Sequence, residues 1–252
     1  MSKQAASGLV RASALGHCLR RESFRLLGYE PLPTPMNWRV LGAIGLAAEQ
    51  EVLEILGDTP QWGPLTATGH EQQTFTLKDV VVARPDAIHS VTGQPWEIKT
   101  YGASASRRLG LDRFLKDGFY ELLTSVLQQA RPDHYIQVQA TMAAMGKDTA
   151  MFVAVDRDTG WYAVPTPIYL DSNALSPRVA DAEHVLEAVR SRGEPSHREY
   201  DFASWECKFC LWHQLCWTEE ETKAAQQRSL NGRLMHAESR PGRDEGEAAS
   251  AP

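Results

Sequence analysis

Apolar residues recur at helical spacing near the start of the chain. Leu9, Ala12, Leu15, Leu19 and Leu26 lie on one stripe, with Arg11, Arg20, Arg21 and Arg25 between them. That spacing predicts a helix over residues 8–28, closed by Gly28. Pro31, Pro33 and Pro35 follow as a stiff extended connector. Leu41, Ile44, Ala48, Val52, Ile55 and Leu56 mark a second helix over residues 40–56, stopped at Gly57. The period then changes to two. Residues 73–77 alternate as a strand does, and the β-branched run 80–88 predicts a buried strand. Thr92-Gly93 is a turn signal, and residues 96–100 form the return strand of a hairpin.

Helical patterning returns over residues 109–129 and again over 134–145, where Gly146 ends it. Residues 151–155 and 161–164 predict a second hairpin around 156–160. Ser172 or Asn173 can cap a helix that runs to about Arg192. Helices before, between and after a few strands predict an α/β layer arrangement. Residues 1–218 are expected to form one domain. Residues 219–252 are a charged tail poor in large apolar side chains, expected to be largely disordered.

Composition narrows the class. Hydrophobic residues make up 42% and charged residues 23% of the 252, which suits a globular protein, and no apolar run is long enough to span a bilayer. Residues 1–10 lack the apolar core of a signal peptide, so a cytoplasmic location is expected. The formal net charge of -6 argues against coating nucleic acid through global charge and leaves local basic strips as the route to it.

The chemistry concentrates in two places. The first is Arg84-Pro85-Asp86 with Trp96-Glu97-Ile98-Lys99. A two-residue loop at Thr92-Gly93 would set Asp86 opposite Lys99 and Ile88 opposite Glu97. Strand side chains alternate, so Asp86, Glu97 and Lys99 would share one face, with the two carboxylates diagonal neighbours about 7 Å apart. Such a pair can hold one hard cation, and a lysine beside it can orient an attacking water. A surface ion pair is the competing reading. An aspartate in an otherwise apolar strand weighs against it, because an unpaired buried carboxylate is costly.

The second place is Cys207-x2-Cys210-x5-Cys216, three thiols close together, with Cys18 far upstream as the fourth. Zinc and iron–sulfur clusters both accept four cysteines, and free thiols are the plain alternative. His213 could substitute as a ligand.

Pro85-Asp86…Glu97-x-Lys99 resembles the PD-(D/E)xK nuclease superfamily, in particular its RecB-like exonuclease branch. The resemblance implies a restriction-endonuclease-like core, a central mixed sheet flanked by helices, and Mg2+- or Mn2+-dependent DNA cleavage. Two further motifs belong to that pattern. Gly45-x3-Glu49 matches a metal-binding helix position, with Glu51 a weaker candidate. Gln137, with Gln139 beside it, matches a glutamine that positions the lysine or a DNA phosphate, although Thr141 stands where a tyrosine is usual. The implied metal ligands are Glu49, Asp86, Glu97 and the Ile98 carbonyl, and the implied catalytic set is Asp86, Glu97, Lys99 and Gln137.

Cys18 with the C-terminal cysteine triplet is similar to the iron–sulfur members of this branch, including CRISPR-associated adaptation nucleases and AddB-type helicase–nuclease subunits. There a [4Fe-4S] cluster on Cys18, Cys207, Cys210 and Cys216 would join the two chain ends, shielded by Trp205, Phe209, Trp212 and Trp217. Matching motifs run from Leu9 to Trp217. DNA contacts are expected at Arg20, Arg21 and Arg25, and at Arg107, Arg108, Arg113 and Lys116, with Tyr101 and Phe114 available for stacking on bases.

Together these readings describe an exonuclease on single-stranded DNA or DNA ends, in phage or prokaryotic recombination, replication or repair. A non-catalytic DNA-end-binding module and a nuclease of CRISPR adaptation are the alternatives. No helicase-type phosphate loop is present, so unwinding would need a partner.

Overall fold

The computed structural model describes residues 8–66, 68–111, 124–160, 166–202 and 204–223. It divides into two units, 1–199 and 200–252. The predicted segments 112–123 and 161–165, with Arg113, Phe114 and Lys116, and the tail beyond 223 lie outside the described residues.

In the first unit, β1 (Val10–Arg11) leads through a 3-10 turn (Ala12–Ala14) to α1 (Leu19–Leu26). The helix expected from residue 8 therefore starts only at Leu19. Of the expected stripe Ala12, Leu15 and Leu19 are buried, but the segment meets its core through a two-residue strand and a 3-10 turn. Val10 and Arg11 pair with Val81 and Val82, and Gly16 lies against the main chain of Asp133, where a Cβ would stand 2.2 Å from Asp133 Cα. A continuous helix could not satisfy both contacts.

Helix α2 (Met36–Gly57) is longer than its apolar pattern, because the turn before Val40 also closes. Of its expected apolar stripe, Leu56 is buried but Leu41, Ile44 and Ile55 are exposed, and Leu53 is its other buried anchor. After β2 (Leu65–Thr66) and β3 (Phe75–Leu77), the run read as one strand over 80–88 splits into β4 (Val81–Ala83) and β5 (Ala87–His89). Arg84-Pro85-Asp86 breaks it, since a proline cannot donate to a ladder. The two halves enter different sheets, β1-β4-β3 and the five-stranded β2-β5-β6-β7-β8.

Strand β6 (Pro95–Tyr101) is central in the larger sheet and runs parallel to β7 (Thr149–Asp156). The β2–β5, β5–β6 and β7–β8 pairs are antiparallel, β8 being Thr166–Tyr169, so the sheet is mixed. Among the described residues, three helices follow β6: α3 (Ala103–Leu109), α4 (Thr124–Ala130) and α5 (Pro132–Met145). The sequence reading missed α3, which is too short for a periodic stripe. Gly146 ends α5 in the left-handed conformation, as its position suggested.

Helix α6 (Ser172–Glu187) is capped by Asp171, whose carboxylate accepts from the Asn173 and Ala174 amides, and not by Ser172 or Asn173. It continues as a π-helical turn to Arg192.

Each sheet face has its own cover. Ala87, Trp96, Ile98, Met151, Val153 and Val155 pack beneath Leu53 and Leu56 of α2. Tyr101, Phe152, Ala154 and Ile168 face Leu127 of α4 and Tyr135, Val138 and Met142 of α5. A further core joins the smaller sheet and α1 to α6. This is a central mixed sheet flanked by helices.

The second unit includes the one-turn helices α7 (Trp205–Lys208) and α8 (His213–Cys216). The Ser204 hydroxyl accepts from the Cys207 amide at 3.3 Å, and Phe202 packs edge-on against Trp217 at 5.5 Å. Among the described residues no helix is long and apolar enough to cross a membrane.

Candidate active site

The β5–β6 hairpin pairs Ala87 with Trp96 and Ile88 with Pro95. His89 and Gln94 close it, and the loop holds Ser90 to Gly93 rather than Thr92-Gly93 alone. The register thus differs by two residues from the expected one. Carried one residue beyond β5, this register would set Asp86 opposite Glu97, not Lys99. Because side chains alternate with period two, a shift of two keeps every side chain on its face. Asp86, Glu97 and Lys99 still converge.

The ladder with β5 stops there. The Asp86 amide bonds to the Trp96 carbonyl, and its carboxylate then accepts from the Ile98 amide at 2.8 Å, where a neighbouring strand would otherwise bond. Beyond this point the edge of β6 is open. A cleft of about 370 Å³ lies there, lined by Gly45, Leu46 and Glu49 of α2, Ile98, Lys99 and Thr100 of β6, and Arg131 and His134. Gly45 allows the close approach of helix to strand, since a Cβ would lie 3.2 Å from Thr100 Oγ1.

Asp86 and Glu97 are buried, at 7% and 2% exposure. Lys99 Nζ lies 3.8 Å from Asp86 and also pairs with Glu97 Oε1. The Gln137 amide, from α5, donates to the same Glu97 oxygen. The other oxygen, Glu97 Oε2, is buried with no hydrogen-bond partner among the described residues. Such an atom is rare in a native interior and is commonly completed by a water or an ion.

The electrostatics follow from burial and crowding. Burial and then Asp86 push the Glu97 carboxyl up to about 8. Burial and Asp86 likewise push Glu49 up to about 7, and burial raises Asp86. Burial alone would lower Lys99, but Glu97 and Asp86 outweigh it and hold the ammonium above its ordinary value. Lys99 is therefore a fixed donor and not a base.

The five site positions predicted from sequence thus meet in one place: Glu49, Asp86, Glu97, Lys99 and Gln137, with Ile98 lining the cleft. Glu51 is exposed on a different flank of α2. Gln139 is fully buried and structural, donating to the Tyr169 carbonyl and accepting from the Asp171 amide. Thr141 bonds back to the Gln137 carbonyl at 3.0 Å. Tyr101 is 2% exposed, so the expected stacking on a base is not open to it.

Of the other expected DNA contacts, Arg20 donates to the Ser196 carbonyl and lies 5.3 Å over the Phe24 ring, and Arg21 lies beside it on α1. Arg25 is bound to Glu22. Arg107 and Arg108 stand exposed in the last turn of α3.

Sequence reasoning missed Arg131 and His134. They stand six and three residues before Gln137, a spacing that keeps all three near one face of a helix, and this was the available signal.

Cys18 is the N-cap residue of α1 in the first unit, while Cys207, Cys210 and Cys216 lie on α7 and α8 and between them in the second. All four are half-buried. Trp205 and Phe209 are 60% and 55% exposed, more open than a shielding role suggests. Among the described residues no group of three or more His, Cys, Asp or Glu side chains is gathered as a metal ligand set. At the carboxylates, Lys99 stands between Asp86 and Glu97.

No family model matches the chain, and no curated protein matches it. Among solved structures, a phage-related exonuclease from Haemophilus somnus 129PT matches with a TM-score of 0.51 at 15% identity, over 74% of this chain and 96% of the other. An alkaline exonuclease from Laribacter hongkongensis matches at 0.43 and 18% identity, over 75% and 95%. At this level of identity the first likeness is one of fold: the chain is built on the same mixed sheet flanked by helices as the phage-related exonuclease.

Proposed function

We propose that the protein is a metal-dependent DNA nuclease of the PD-(D/E)xK type, acting on single-stranded DNA or DNA ends. The observation that carries this is the buried Glu97 with one oxygen unpartnered, set beside Asp86 and Glu49 and backed by Lys99 and Gln137. Burial raises all three carboxyls and Asp86 raises Glu97 and Glu49 further, so three acidic groups outnumber the one ammonium, Lys99, beside them. All the donors are hard oxygens, which suits Mg2+ or Mn2+. Glu49, Asp86, Glu97 and the Ile98 carbonyl would hold the ion. Once bound, it would offset charge on the scissile phosphate and make water a better nucleophile.

The chain's own residues do the rest. Lys99, permanently charged, donates to the oxygen of the attacking water and stabilises it as its proton passes to solvent. Gln137 fixes the Glu97 carboxylate through one oxygen and leaves the other free. Asp86 is held by the Ile98 amide, so its carboxylate stays aimed along the open edge of β6.

We also propose that Cys18, Cys207, Cys210 and Cys216 bind a [4Fe-4S] cluster. Four half-buried thiols, two of them on consecutive one-turn helices and a third between, are the donor set such a cluster takes. The setting proposed is phage or prokaryotic DNA recombination, replication or repair, with unwinding left to a helicase partner.

End-labelled single- and double-stranded DNA, incubated with Mg2+ or Mn2+, tests the nuclease proposal. Cleavage should fall at least about 100-fold in Lys99→Ala. Equal cleavage by wild type and Lys99→Ala, or none by either, would refute it.

A further inference from the structure

The cleft beside the carboxylates has a second, basic end. It is built by Arg131, His134 and Tyr101. Arg131 Nε and Nη2 grip the Asp133 carboxylate at 3.0 and 2.6 Å, and Nη2 also meets His134 Nε2 at 2.7 Å. The guanidinium lies 5.2 Å over the Tyr101 ring. Its plane is therefore fixed on three sides. The remaining nitrogen, Nη1, makes no hydrogen bond among the described residues, and the side chain is 25% exposed toward the cleft that it lines.

The neighbours hold this arrangement in one charge state. Burial alone would raise Asp133, but the hydrogen bonds from Arg131 outweigh it and keep the carboxyl well below its ordinary range. Burial keeps His134 neutral. The neutral ring accepts from Arg131 at Nε2 and so carries its proton on Nδ1, 2.6 Å from the Tyr101 hydroxyl. Of the two cations lining the cleft, Lys99 is committed to Glu97 and Asp86, whereas Arg131 keeps donors to spare. A planar fork, locked on one edge and open on the other, suits a phosphate oxygen.

We infer that Arg131 is a phosphate-binding residue, whose Nη1 edge takes a backbone phosphate next to the one that is cut. The inference rests on the nuclease reading of the cleft and adds the contact that holds the substrate strand there. A chain with a net charge of -6 needs such a local contact. Asp133 and His134 act through Arg131 as positioning residues.

Binding tests it without turnover. A fluorescein-labelled single-stranded oligonucleotide is titrated with the full chain in calcium, by anisotropy, at several salt concentrations. Arg131→Lys keeps a charge but loses the fork. It should bind about tenfold more weakly, and Arg131→Gln should lower the salt slope by about one. A methylphosphonate oligonucleotide, which has no backbone charge, should bind wild type and both variants alike. In Mg2+, Arg131→Lys should raise KM about tenfold and leave kcat within about threefold.

Equal binding of the charged oligonucleotide by wild type and Arg131→Lys, with the unfolding midpoint unchanged, would overturn the inference. So would an equal loss of affinity for the methylphosphonate, which would mark a structural defect. Arg131-dependent binding with no cleavage by wild type would sink the nuclease reading and leave the phosphate site standing.

Discussion

Three carboxyl groups with raised proton affinity, Asp86 and Glu97 buried and Glu49 half-buried, make divalent-ion binding strongly dependent on pH. Glu49 and Glu97 titrate near 7 and 8, and Asp86 is raised as well. A divalent ion needs them ionised, so binding must displace their protons. With these two values, about two protons leave per ion at pH 6 and about 0.3 at pH 8.5, and apparent affinity rises on the order of a thousandfold between them. Lys99 stays protonated throughout, so it does not change the slope.

The stability of the metal-free chain moves the other way. A carboxyl whose folded value lies above its unfolded one holds a proton that the unfolded chain gives up. Stability from this cluster is therefore present at low pH and declines from about pH 4.5 to about 8. The ion should restore it, with more effect at pH 8.5 than at pH 6. Calorimetric titration with Mg2+ or Mn2+, in buffers of different ionisation enthalpy, measures the affinity and the released protons together. Affinity that is flat from pH 6 to 8.5, or binding with no proton release at pH 6, would refute this account of the cluster. The Glu97→Gln variant should lose about one proton of the release at pH 6.

Glu22 predicts a stability effect of opposite sign. It is fully buried and bonded to Arg11 at 2.7 Å and Arg25 at 2.9 Å, which outweigh burial and lower its carboxyl. Its contribution is present above about pH 4.5 and is lost as pH falls through the folded value, and Glu22→Ala should cost about 3–5 kcal/mol by denaturant unfolding at pH 7. Gly16→Ala should cost about 1–3 kcal/mol or more, because the added Cβ meets Asp133 Cα at 2.2 Å and main chain cannot swing aside; an unchanged midpoint would refute that contact. Protein purified without oxygen should be brown and carry iron, whereas colourless protein with stoichiometric zinc would remove the cluster and leave the carboxylate site untouched.

The candidate site was legible in the sequence for a reason that the hairpin makes plain. Its loop is longer than the turn signal suggested, and its register is two residues away from the one expected. Period-two alternation absorbs an even error, so Asp86, Glu97 and Lys99 stay on one face. An odd error would have sent the charges into the α2 side of the sheet, where Trp96 and Ile98 pack.

What was not legible depends on long-range contacts. Residues 8–18 carry a helical apolar pattern, but pairing of Val10 and Arg11 with Val81 and Val82 and the approach of Gly16 to Asp133 hold them as a short strand and a 3-10 turn. Tertiary demands override propensity there. Arg131 reads as an ordinary residue before a proline. Only the fold turns the start of α5 toward the open edge of β6, where Asp133, His134 and Tyr101 fix the guanidinium. The same break at Pro85 that ends the β5 ladder creates both halves of the cleft. It frees the edge beyond Ile98, so carboxylates from one flank and a guanidinium from the other can face a common space. Acidic and basic ends so close would attract each other across a closed sheet edge. Here each is held by its own partners, Lys99 for the carboxylates and Asp133 for Arg131, which leaves the space between them open to a phosphate chain.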